Sequence, residues 1–254
     1  MLRLLPERLY TGLLGDGAWL AQGTKGHPLP MPSFPSHATP VEMLGAMLQA
    51  DIPKRRARKL SVMLPGHAAR CVSLPWSPHL RSGEEKKAYA LAHFEQAGLG
   101  VADSHAILAD FRHYGAKGFA YAVPHDLLEQ LHGVAASHSV ELTTVIPTCG
   151  VAHMAARPAR GTGLELLLVI ENSAVSALVM DRVGLQRYDS EPTIGGEVAG
   201  LRRLMTRLVA SASEYKGITM CSVTEDEAAV DIARSFTADA VVRRVTPQDW
   251  RRYL

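Results

Sequence analysis

Residues 164–204 constrain the fold most, because they read as three short strands, two tight turns and one helix with little slack between them. The runs are LELLLVI, VSALVM and LQRYDSEPT, separated by the turns ENSA and DRVG and followed by IGGEVAGLRRLMTRLVA. Apolar β-formers bounded by turn residues read as strands, and turns this short impose antiparallel pairing of neighbours. A three-strand meander therefore feeds a helix led by Gly195 and Gly196.

At 254 residues the chain suits one large domain or two intimate halves, and it is long enough for a sizeable core. Hydrophobic residues make up 47% and charged residues 20%, which is ordinary globular usage. A net charge of +2 gives no global field that would favour nucleic acid or an anionic membrane. Cys71, Cys149 and Cys221 are far apart, odd in number and without any CxxC. That pattern fits buried thiols in a reducing compartment rather than a disulfide framework or a zinc site. No apolar run approaches the ~18 residues that cross a bilayer. The opening MLRLLPERLY is broken by Pro6 and Glu7, unlike a signal peptide. These readings predict a soluble cytoplasmic protein.

Along the chain, residues 8–22 predict a hairpin turning at Gly15-Asp16-Gly17, where both turn positions tolerate positive φ. Residues 23–40 hold five prolines and no period, and predict a loop. A short helix follows over 41–50 with Thr39 as its cap, then a basic cluster at 54–59. A second hairpin is expected over 59–76, turning at Pro65-Gly66-His67. Ser82 and Glu85 form a capping-box start for a helix over 82–97, closed by Gly98. Residues 105–123 predict a third hairpin, Pro124 opens a helix, 140–147 a strand and 149–156 a short helix. After the meander and its helix, a buried strand at 217–223 precedes a helix capped by Thr224, a last strand at 239–245 and a polar tail. This alternation argues for an α/β fold with a mixed sheet.

The segments YAVPHDLLEQLHGVAASHSVELTTVIPTCGVAHM (121–154) and LLLVIENSAVSALVMDRVGLQRYDSEPTIGGE (166–197) carry a family resemblance. They resemble the actin-like, ribonuclease-H-like proteins of bacterial pilus and secretion machines, the group of PilM and the cytoplasmic domain of the type II secretion L protein. In that group a YAVP strand end leads into a helix, then a strand ending in Pro, a short Ala-rich helix and a meander ending near a Gly-Gly-Glu helix start. The resemblance implies an α/β, two-lobed actin-like fold with mixed sheets flanked by helices. The first lobe, with hairpin insertions, would cover 1–156, and a second ribonuclease-H-like lobe 157–254.

The same resemblance implies three contact points for ATP. The first hairpin turn keeps Gly12, Gly15, Asp16 and Gly17, but a neutral residue fills the usual strand-end aspartate position. The second turn, ordinarily Asp-x-Gly with following hydroxyls, reads Glu171-Asn172-Ser173. The third needs a Gly-Gly turn, and residues 220–224 contain no glycine. Close backbone approach to phosphate or ribose needs glycine, so two of the three points are disfavoured. These positions, with Gly195 and Gly196, read as a vestigial nucleotide site.

Individual residues carry sharper and plainer readings. Glu171 could hold magnesium through water, but a lone carboxylate binds it poorly and a hairpin-turn role is simpler. Gly195-Gly196 before Glu197 could bind an anion, or allow close packing of the helix start on the sheet. His125 and His132 lie seven apart on one helix without partner carboxylates, and neither HExxH nor GxSxG occurs. Cys149, at a helix start, has a setting that lowers a thiol pKa, although a buried structural thiol is the simpler role. Lys54, Arg55, Arg56, Arg58 and Lys59 form a solvated run or a contact for anionic membrane or a partner.

The resulting expectation is a non-catalytic, degenerate actin-like scaffold without a cofactor or metal, peripheral to the inner membrane of a type IV pilus or type II secretion-like assembly. Its expected partners are inner-membrane assembly proteins and the assembly ATPase of the same machine, with self-association as a dimer also open. The rival is an active ATP-binding ATPase or small kinase. A third reading, nucleic-acid binding through 54–59, has only that cluster behind it. A natural full-length chain would be closer to PilM, whereas a cut chain could continue into a spanning helix after Leu254, flanked by Arg251 and Arg252.

Overall fold

The computed structural model describes residues 6–14, 17–23, 38–49, 58–157, 163–211, 215–222, 227–236 and 241–254. The first hairpin forms as expected, with β1 (Glu7–Leu14) antiparallel to β2 (Gly17–Gln22). Helix α1 (Pro40–Gln49) is opened by a reciprocal cap. The Glu42 backbone N–H donates to Thr39 Oγ1 at 3.2 Å, and the Thr39 N–H donates to Glu42 Oε2 at 2.8 Å. The loop expected at 23–40 falls mostly outside the described residues.

The hairpin expected over 59–76 does not form. β3 (Arg58–Leu64) runs parallel to β1 on one side, while β4 (Arg70–Leu74) leaves for another sheet. Pro65 and a 3₁₀ turn at Gly66–Ala68 separate the two strands. An inserted unit follows: α2 (Gly83–Gln96), opened by the Ser82–Glu85 capping box, then β5 (His105–Asp110) and β6 (Gly118–Pro124). Here β6 pairs antiparallel with both β4 and β5. The chain returns through α3 (His125–Ser137) to β7 (Val140–Pro147), which takes the other edge of β3 in parallel register. With both of its edges occupied, β3 has no place for β4. The first sheet has the order β2-β1-β3-β7.

Helix α4 (Thr148–Ala155) links this part to the meander β8 (Leu164–Ile170), β9 (Ala174–Met180) and β10 (Leu185–Pro192), which forms as read. Then come α5 (Glu197–Ser211), β11 (Tyr215–Ser222), α6 (Glu227–Phe236) and β12 (Val241–Val245). The strand order is β10-β9-β8-β11-β12, with β11 parallel to β8 and to β12. The Thr224 cap lies outside the described residues.

The apolar run in β8 is continuous because both of its faces are buried. Leu166, Leu168 and Ile170 join the core under α5 and α6, while Leu167 and Val169 join a core shared with the first sheet. β6 alternates in the same way: Phe119, Tyr121 and Val123 enter the shared core, and Ala120 and Ala122 pack under α2.

The C-terminal residues are not a free polar tail. The 3₁₀ turn Pro247–Tyr253 lies against α4 and β1, Trp250 is buried in the shared core, and Ser61 Oγ donates to the Leu254 carbonyl at 3.3 Å. Trp250→Ala is expected to cost about 3–5 kcal/mol in denaturant unfolding, the range for truncating a buried tryptophan. A loss under about 1 kcal/mol would mean that the turn is not an anchor.

Candidate functional site

The carboxyl ends of the parallel strands in both sheets converge, and ligands of open α/β sheets collect at such ends. β3 ends at Leu64, β7 at Pro147 and β8 at Ile170, and contacts made by Gly66, Thr148 and Glu171 tie these ends together. Glu171 closes its own turn by donating its backbone N–H to the Ala174 carbonyl at 3.0 Å. Its side chain leaves the turn and crosses to the first sheet, where Oε2 accepts the backbone N–H of Gly66 at 2.9 Å. A Cβ at position 66 would lie 2.5 Å from Oε2, so a larger residue there would push the Glu171 carboxyl off the amide. Thr148, the first residue of α4, gives its single hydroxyl proton to the Leu64 carbonyl at 2.9 Å.

A second contact clips the same turn from outside, where Ser173 Oγ lies 2.8 Å from His67 Nδ1. From the other side, Thr193 donates its N–H to the Ser173 carbonyl at 3.2 Å and its hydroxyl to the Asn172 carbonyl. Residues 171–174 are thus held by β3's exit turn and by the approach to α5.

Glu171 is only 7% exposed, and its Oε1 has no hydrogen-bond partner among the described residues. Burial pushes its carboxyl up to about 7, offset in part by the Gly66 N–H. This is more than the hairpin-turn role read from sequence. Among the described residues no group of three or more His, Cys, Asp or Glu side chains is placed to hold a metal ion. The Gly66 amide, a donor that an incoming anion could use, is already taken by a carboxylate.

The remaining sequence candidates fall elsewhere. Gly12 is not in the turn but inside β1, opposite Trp19, whose indole would lie 2.2 Å from an added Cβ. Its role is to seat that indole. Gly17 opens β2, and Gly15 and Asp16 lie outside the described residues. Gly195 and Gly196 precede α5 with φ of +83° and +98°, and an added Cβ at Gly196 meets nothing. Their constraint is backbone conformation; the close helix–sheet approach belongs to Gly200, whose Cβ would lie 3.2 Å from the Pro192 carbonyl.

Arg58 must be removed from the solvated cluster. It begins β3, is 5% exposed and donates Nη2 to the His138 carbonyl at 3.2 Å. Charge patterning alone cannot show that a cation at a run's end enters a central strand. Lys59 lies 3.6 Å from Glu141, and Lys54, Arg55 and Arg56 lie outside the described residues. Cys149 is buried at the start of α4 with Cys71 beside it, a pairing that a separation of 78 positions conceals in the sequence. Gly66, His67 and Thr148 were also missed; the Pro-Gly-His turn was visible but was assigned to a hairpin.

No sequence-family profile matches the chain, and no curated protein matches it by sequence. Solved structures do match in shape. A Bacteroides thetaiotaomicron protein described as having an actin-like ATPase fold and unknown function aligns with a TM-score of 0.64 at 8% identity, over 94% of this chain and 90% of that one. The chain has the actin-like ATPase fold. PilM, from a PilM–PilN type IV pilus biogenesis complex, aligns with a TM-score of 0.64 at 11% identity over 96% and 89% of the two chains. The cytoplasmic domain of EpsL, an inner-membrane component of the Vibrio cholerae type II secretion system, gives 0.54 at 10% over 87% and 84%. The fold implied by residues 121–154 and 166–197 is therefore present.

The raised carboxyl has a signed consequence. A glutamate in the unfolded chain releases its proton near ~4.3, whereas Glu171 keeps its own up to about 7. The native state holds more protons in that window, so stability falls as pH rises through it and levels off above. Glu171→Gln keeps an acceptor for the Gly66 N–H without a charge. It is expected to be more stable than the parent near pH ~8, by on the order of 1–3 kcal/mol, with a shallower slope from about 5 to 7. Denaturant titrations across this range check it, and a variant no more stable than the parent at the alkaline end would contradict it.

Proposed function

We propose that this actin-like chain is a non-catalytic scaffold that binds segments of partner proteins in a type IV pilus or type II secretion-like assembly at the inner membrane. The observation that carries the reading is the Glu171 carboxylate on the Gly66 amide. It fills the meeting point of the strand ends with a side chain and takes up a backbone amide that a phosphate would otherwise use. The sequence over 220–224 adds no glycine for close approach of a nucleoside.

The kinds of protein that share the fold support this choice of assembly. One similar structure is paired with PilN in pilus biogenesis, and another is the cytoplasmic domain of an inner-membrane secretion component. Inner-membrane assembly proteins and an assembly ATPase are accordingly the proposed partners. No helix among the described residues is long and apolar enough to cross a membrane.

Calorimetric titration of the purified chain with Mg·ATP, paired with a phosphate-release assay, tests the non-catalytic part. The expected result is no saturable heat and no release above buffer. Saturable binding with turnover that is lost in Glu171→Gln would favour the rival reading, an active ATPase or small kinase.

A further inference from the structure

The expectation of three isolated buried thiols fails at one place. Cys71 Sγ and Cys149 Sγ lie 3.1 Å apart, although one residue is in the inserted sheet and the other is the second residue of α4. The separation is only about 1 Å longer than an S–S bond. The approach is built into the local sequence. Cys71 pairs with Tyr121 across β4 and β6, and Gly150 lets α4 press on that tyrosine, since an added Cβ would lie 3.3 Å from the Tyr121 ring. The Ile146 side chain would be closer still, at 2.9 Å. A larger residue at 150 would press on both side chains that seat this part of α4.

We propose that Cys71 and Cys149 form a reversible disulfide that staples the inserted unit to α4, and that small-molecule disulfides of the glutathione type oxidise it. This inference does not depend on the scaffold reading. Cys71 is part-exposed and Cys149 is 1% exposed, so the oxidant meets Cys71 first. The Cys71 thiolate attacks one sulfur of the oxidant, whose S–S bond breaks, releasing one thiolate and leaving a mixed disulfide on Cys71. Cys149, having lost its proton, attacks Cys71 Sγ and expels the second thiolate. Two protons and two electrons leave the cysteines, and the oxidant becomes two thiols.

Burial, followed by the neighbouring Cys149, pushes the Cys71 thiol up, so the thiolate is scarce at neutral pH and oxidation should quicken as pH rises. Tyr121, Tyr188 and Glu171 are the other titratable groups that act on the pair. Cys221 is buried beyond this cluster and has neither thiol among the groups that act on it, so it should stay out of the exchange.

The test is to reduce the purified full chain, expose it to oxidised glutathione, block remaining thiols and map the peptides without reduction. The expected product is a monomer with the peptides of 71 and 149 linked and Cys221 blocked only after unfolding. Cys149→Ser should instead accumulate glutathione on Cys71, and Cys221→Ser should form the 71–149 link at the parental rate. The proposal is overturned if the parent accumulates glutathionylated Cys71 without the link, links 71 to 221, or cross-links between chains. Should Cys149→Ser not fold, the parent and Cys221→Ser still decide the matter through the linked peptide alone.

Discussion

One hydrogen bond across the junction of the two sheets organises this molecule: the Gly66 N–H donated to the buried carboxylate of Glu171. Burying a carboxylate is costly, and the cost is met only in part here, because Oε1 is left without a partner among the described residues. The group responds by holding its proton up to about 7. Around it, Thr148 ties α4 to the end of β3, and His67 clips Ser173. The same few residues therefore fix the junction at the ends of β3, β7 and β8.

That junction is possible because the central strands are buried on both faces. β8 serves one core under α5 and α6 and another shared with the first sheet, and β6 likewise faces the shared core and the α2 core. Helix α4 lies in the middle, touching β3, β6, β7, β8 and the C-terminal turn. A short helix so placed must be small-sided where it is closest, and Gly150 is the residue that allows it. The result couples the inserted unit to both sheets.

Much of this was legible in local chemistry. The Ser82–Glu85 box, the Thr39 cap, the turn glycines and the apolar runs of the meander place their elements where the structure has them. What local chemistry could not give is which strands pair over distance. β3 and β4 are separated by a turn that would suit a hairpin, yet β3 is claimed on both edges by β1 and β7. Arg58 and Glu171 look like surface residues because charge predicts exposure, and each is buried by a partner far along the chain, His138 and Gly66. Gly12 looks like a phosphate contact for the same reason: its motif is local, while its constraint is the Trp19 indole on the next strand.

The central claim is that the Glu171 carboxyl closes the junction in place of a nucleotide. Isotope-labelled carboxyl NMR on the intact chain tests it most directly, by following the Glu171 signal through a pH titration with and without Mg·ATP. The account predicts a midpoint near 7 that Mg·ATP leaves unmoved. A midpoint near the ordinary ~4.3 of an exposed glutamate, or a shift on adding Mg·ATP, would contradict it.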